Sequence, residues 1–79
     1  MAIHIMGVSI DKRSDFVPKV QEVLTKHGSN ILARFGIHDE SDDNGLITLN
    51  VRGDENYINQ FSKELSSIPT VKVNHMTIK

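Results

Sequence analysis

Seventy-nine residues, nine Lys and Arg against ten Asp and Glu, and no cysteine describe one small domain over 1–79 with a net charge of −1, too short for a second core. The missing cysteine excludes a disulfide framework, a thiolate nucleophile and any Cys-ligated metal centre, so the fold holds by packing and suits a reducing cytoplasm. A sequence pI near 6.4 lacks the basic footprint of a nucleic-acid-binding domain, and the first apolar stretch, Ala2 to Ile10, is too short to span a membrane.

That stretch is rich in apolar and β-branched residues around Gly7 and reads as a mostly buried strand. After the polar break Asp11 to Ser14 the period changes to 3.6: Val17, Val20, Leu24 and His27 share one face, widened by Phe16 and Val23. Ser14 is the expected cap of this helix from Asp15, Pro18 fits its first turn and Gly28 ends it. Ile31, Ala33, Phe35 and Ile37 then alternate with Leu32, Arg34, Gly36 and His38, the pattern of a strand with one buried face. Asp39 to Gly45 carries four acids and ends in Asn44-Gly45, a strong hairpin signal, so Leu46 to Arg52 returns antiparallel. Gly53-Asp54 stops that strand and caps a second helix, whose Ile58, Phe61, Leu65 and Ile68 again follow a helical period. Pro69 ends it. Val71, Val73, Met76 and Ile78 form the last strand, with a parity change near His75 that suggests a bulge or a twist.

The two halves are related by a shift of 41 residues, Val17 onto Ile58 and His27 onto Ile68. Strand, helix, strand, strand, helix, strand is an α+β, ferredoxin-like βαββαβ sandwich, with a four-stranded antiparallel sheet of order 4-1-3-2 and both helices on one face. The other face is left bare. A domain of this mass has a folded surface of roughly 4,800 Å² against roughly 13,000 Å² for the open chain. Such a core is marginal, and the bare face is the expected surface for association with another copy of the chain.

Four histidines, His4, His27, His38 and His75, invite a metal site. The strand order makes His4 and His75 near-diagonal neighbours and puts His38 at the far edge. No H-x-H or H-E-x-x-H spacing occurs, so within one chain they read as structural; a site shared between subunits is the alternative. Asp39, Glu40, Asp42 and Asp43 lack the spacing of a calcium loop and read as a solvated hairpin tip. No serine lies in G-x-S-x-G or S-x-x-K and no phosphate loop occurs, so no catalytic residue, enzyme activity or cofactor is expected. Asp11, Lys12, Arg13 and Ser14 combine two cations with the free amides of a helix start, which suits the carboxylate or phosphate of a small anion; an exposed polar loop is the other reading.

The phrases ILARFGI, LITLNVRGD and SKELSSIPTVKVNHM, with Arg34, Gly36, Lys63, Leu65, Val71 and Val73, resemble the small ACT-like proteins called iron-only hydrogenase system regulators over nearly the whole chain. Leu46 to Val73 also resembles the C-terminal regulatory domain of the nickel-responsive repressor. In that likeness His38 stands for one of its paired strand histidines and His27 for its helix-end histidine, while Gly36 replaces the second imidazole and Gly45 or Asn44 the cysteine. A site without its thiolate and one imidazole loses most transition-metal affinity.

The resemblance implies a non-catalytic ACT-like regulatory domain, in transcription or a hydrogenase system, that self-associates as a homodimer or homotetramer and senses a small ligand or binds a protein partner. ACT domains often bind amino acids at a subunit interface through the loop after strand 1 and the start of strand 2. The matching positions are Asp11, Lys12, Arg13 with the adjoining Ser14, and Asn30. Arg34 and Gly36 are expected at the oligomer interface, since a strand glycine permits close backbone approach. The alternatives are an inter-subunit metal sensor using His27, His38, His4 and His75, and a protein-interaction subunit with no ligand.

Overall fold

In the computed structural model, which describes residues 2–79, six elements follow in the expected order: β1 (Ala2–Asp11), α1 (Val17–Lys26), β2 (Ile31–Asp39), β3 (Asn44–Gly53), α2 (Glu55–Ser66) and β4 (Lys72–Thr77). The sheet runs β2-β3-β1-β4 with every neighbouring pair antiparallel, the order the duplicated βαβ pattern requires. Alternate residues of the two central strands, among them Met6, Val8 and Ile10 of β1 and Ile47, Leu49 and Val51 of β3, are buried. Against them pack Val20, Val23 and Leu24 of α1 and Ile58, Phe61 and Leu65 of α2. The helix faces read from the sequence are the faces that are buried, with one exception. Phe16 does not widen the α1 face; it is the residue before the helix and is exposed.

Local chemistry explains the element ends. Asp54 caps α2, its carboxylate accepting from the Tyr57 amide at 2.8 Å. Ser14 caps nothing: α1 starts at Val17, and the Ser14 hydroxyl instead accepts from the Phe16 amide at 3.0 Å in a tight turn. Pro18 lies in the first turn of α1, where its missing N–H costs no hydrogen bond. The hairpin differs from its signal too. Asn44 and Gly45 belong to β3, paired with Asp39 and His38, and the left-handed residue of the turn is Asp43, with φ 54°, a conformation Asp tolerates better than most residues.

The expected bulge in the last strand is absent. β4 pairs with β1 in unbroken register from His4–Thr77 to Ser9–Lys72, so Val73 and His75 share the helix side while Met76 lies on the open side and is exposed. The register shift lies in β2 instead. Ile31 pairs with Val51 but Ala33 with Asn50, which makes Leu32 the extra residue and moves the rest of the strand to the opposite parity. Arg34, Gly36 and His38 therefore face the helix side opposite Leu49, Ile47 and Gly45, and Ala33, Phe35 and Ile37 face the open side. No residue of β2 is fully buried, so the expectation of one buried face fails for this edge strand.

Phe61→Ala should destabilise the domain by about 3–5 kcal/mol, most of the margin a chain this small has, whereas Leu32→Ala should stay within about 1 kcal/mol. Urea unfolding of the two variants measures the contrast; similar losses at both sites would refute the placement of Leu32 in an exposed bulge.

Candidate functional site

Because α1 does not cover the edge strand, a cleft of about 290 Å³ opens between it and β2, with Lys12, Gln21, Arg34 and His38 on its walls and Gly36 and Gly45 on its floor. Lys12 reaches it from the turn after β1, where its amide donates to the Asp43 carbonyl at 2.9 Å. Its side chain lies across Gly45, where a Cβ would collide with the lysine Cε. Arg34 projects from β2 and donates to Gln21 Oε1 of α1 at 3.0 Å. His38 Nε2 stands 2.7 Å from Asp43 Oδ1. Above Gly36 the space is free, the nearest atom to an added Cβ being the Leu46 carbonyl at 3.9 Å. Two permanent cations, an imidazole and an amide thus line a groove with one carboxylate at its rim. The groove has the chemistry to hold an anion.

The five residues expected to bind a ligand do not converge. Asp11 and Arg13 pair with each other in the exposed turn, through Asp11 Oδ1 to Arg13 Nε at 3.0 Å and Oδ2 to Nη2 at 3.2 Å. The hydrogen bonds from Arg13 hold the Asp11 carboxyl below its ordinary range. Ser14 closes that turn. Asn30 works at the opposite end of β2, donating from Nδ2 to the Arg52 carbonyl at 2.9 Å while Arg52 donates its amide to the Asn30 carbonyl at 2.8 Å. Lys12 alone enters the cleft, and there it meets Arg34 and Gly36, which the sequence suggested for an oligomer interface, and His38, which it suggested for a metal. Gln21 was not singled out, although it lies four residues after Val17 on the flank of the α1 apolar face.

The other histidines are engaged inside the chain. His4 is fully buried; Nε2 donates to the Gly53 carbonyl at 3.0 Å and Nδ1 accepts from the Thr77 hydroxyl at 3.1 Å. Its ring meets that of His75 edge-on at 6.4 Å, as their diagonal positions imply. His27 stacks on Phe61 with ring centres 4.2 Å apart, and its two nitrogens lie 2.6 Å from the Tyr57 hydroxyl and 2.7 Å from Glu64 Oε1. Tyr57, Phe61 and Glu64 recur at helical spacing on α2, a signal for this cluster that the sequence contains. Among the described residues no group of three His, Cys, Asp or Glu stands close enough to hold a metal ion, and no helix is long and apolar enough to cross a membrane.

A family profile described as “TM1266-like: Iron-only hydrogenase system regulator, putative” matches residues 2–75. Among solved structures, that of the uncharacterized protein TM1266 from Thermotoga maritima aligns over 98% of this chain and 96% of its own, at 25% identity and a TM-score of 0.91. An ACT domain protein from Streptococcus pneumoniae aligns over 96% of this chain and 89% of its own, at 22% identity and a TM-score of 0.64. The C-terminal domain of the MgtC protein from Mycobacterium tuberculosis aligns over 99% and 88%, at 16% identity and a TM-score of 0.75. These last two share the fold. No curated protein matches the chain.

Glu64 also accepts from Lys26 Nζ at 2.6 Å, and the hydrogen bonds from Lys26 and then His27 hold its carboxyl below the ordinary value of 4.5. A carboxyl with a depressed folded-state pKa stabilises the fold above its unfolded value and loses that contribution as pH falls through the folded value. Glu64→Gln should therefore cost about 1 kcal/mol at neutral pH, discounted for partial exposure, and flatten the acid limb of stability. Urea midpoints followed from neutral to acid pH measure both effects.

Proposed function

The chain belongs to the TM1266-like family of iron-only hydrogenase system regulators, and from that premise we propose a non-catalytic, cytoplasmic ACT-like regulator that self-associates and senses a small anionic ligand in the cleft between α1 and β2. One observation carries the reading: Lys12 from the turn after β1, Gln21 from α1, and Arg34 and His38 from β2 line a single groove over a floor of two glycines. Arg34 offers a planar fork for a carboxylate or phosphate, Lys12 a mobile point charge, and Gln21 an amide that matches either donors or acceptors. An amino acid, through its carboxylate, or a small phosphorylated compound fits this set. The absence of a side chain on Gly36 leaves room for the ligand to reach the sheet surface, while Gly45 lets the Lys12 side chain lie across the strand beside it.

Such a ligand would bridge an uncovered edge strand to a helix, and a ligand that binds only the folded state stabilises it by about 2.7 kcal/mol at a hundred times its Kd. A thermal-shift screen of amino acids, dicarboxylates and phosphate esters should therefore raise the Tm with at least one anion. Arg34→Ala should weaken that binding by about tenfold to a hundredfold in calorimetry, and Lys12→Ala by less, with the fold intact because both side chains are exposed. A flat screen, or a hit that neither substitution affects, refutes the anion site; a flat screen with a protein that co-purifies favours the interaction subunit.

A further inference from the structure

The sheet face turned away from the helices carries Ile5, Phe35, Ile37, Leu46, Met76 and Ile78, each at least 36% exposed. Cross-strand register sets this face in rows over β2, β3, β1 and β4. The middle row reads Phe35, Thr48, Gly7, Asn74. On one side of it lies Ala33, Asn50, Ile5, Met76, and on the other Ile37, Leu46, Ser9, Lys72. Side-chain size along β2 therefore runs small, large, large through Ala33, Phe35 and Ile37. Along β1, in the same rows, it runs large, none, small through Ile5, Gly7 and Ser9. Phe35 stands out from the face at 68% exposure, and a hollow of about 390 Å³ opens over Gly7, Ser9 and Thr48.

We propose that this face is a self-complementary interface with a second copy of the chain, related by a twofold axis that runs along β3. β3 lies between β1 and β2, so rotation about it exchanges their places and leaves each row at its own height. Phe35 of each copy then enters the hollow over Gly7 of the other. Ala33 comes to face Ile5, Ile37 to face Ser9, and Leu46 and Thr48 meet their own counterparts. Every large side chain in the three rows of β1 and β2 is matched with a small one. The protrusion and the hollow that receives it are on one surface, so a second copy satisfies both contacts by one symmetry operation. Aligned packing of two sheets has this geometry, and an aromatic anchor seated in a pocket is the usual centre of such an interface. Arg52, Asp11 and Asp39 lie at the strand ends, in the solvated rim.

The proposal rests on the self-association in the preceding reading and not on the anion cleft, which lies on the opposite side of the sheet. Phe35→Ala and Gly7→Phe leave the monomer fold intact, since Phe35 is exposed and a Cβ on Gly7 meets only the Asn74 carbonyl at 4.0 Å. Each should raise the dimer Kd in analytical ultracentrifugation by about a hundredfold, roughly tenfold for each of the two symmetry-related contacts. Gly7→Phe combined with Phe35→Gly moves the protrusion to β1 and the hollow to β2, and should restore the Kd to within about tenfold. Thr48→Cys puts the only thiol of the chain on the axis, where a short bis-maleimide that spans the ~10 Å between packed sheets should join two copies; Glu22→Cys on α1 should not be joined. A chain that stays monomeric overturns both self-association and the interface. A dimer whose Kd ignores both single substitutions, or that fails to cross-link through residue 48, overturns the interface alone.

Discussion

The whole molecule depends on the pairing of β1 with β3. Ten residues of each strand run in one unbroken register, from Ala2 opposite Gly53 to Asp11 opposite Asn44, and both strands alternate in phase. Because a slip by one residue would turn every buried side chain to water, the register and the core specify each other. His4 tightens the arrangement. It is the one buried polar side chain among the described residues, and burial without partners would be costly. Instead its ring ties the end of β3, at the Gly53 carbonyl, to the end of β4, at the Thr77 hydroxyl. The tautomer follows: a carbonyl can only accept, so Nε2 carries the proton.

What the central pair and two helices do not cover becomes available for recognition. β2 hangs on the outer side of β3 with neither face sealed, and the extra residue at Leu32 decides how its side chains are shared out. Past that bulge Arg34, Gly36 and His38 line the cleft beside α1, and Phe35 and Ile37 stand on the open face. In the proposed reading one strand thus serves a ligand on one side and a second copy on the other. In that reading the ligand would bias assembly through β2, the element that both events contact.

Most of the fold was legible because each cue was local. Helical spacing of Val20 and Leu24, and of Ile58, Phe61 and Leu65, marked two buried faces; Asp54 marked a cap; the 41-residue repeat marked the duplication and hence the strand order. The departures share a cause as well. Residue type alone points to a cap at Ser14, a turn at Asn44-Gly45 and a bulge near His75, whereas the chain uses a turn before α1, a left-handed Asp43 and a bulge at Leu32. Such choices are settled by register with the neighbouring strand, at costs of a kilocalorie or so that tertiary packing easily outweighs.

The amino-acid sequence by itself determined the ferredoxin-like topology, the absence of thiol chemistry and the family, because hydrophobic period and composition are properties of the chain alone. Only the tertiary structure decided which polar residues meet. Lys12, Arg34 and His38 share a cleft although the sequence suggested a different use for each; Asp11 and Arg13 neutralise each other; His27 is held by Tyr57 and Glu64 and stacked on Phe61. The physical reason is the parity of β2. One inserted residue turns Arg34 toward α1 and Phe35 away from it, and that inversion shows only in the pairing with β3.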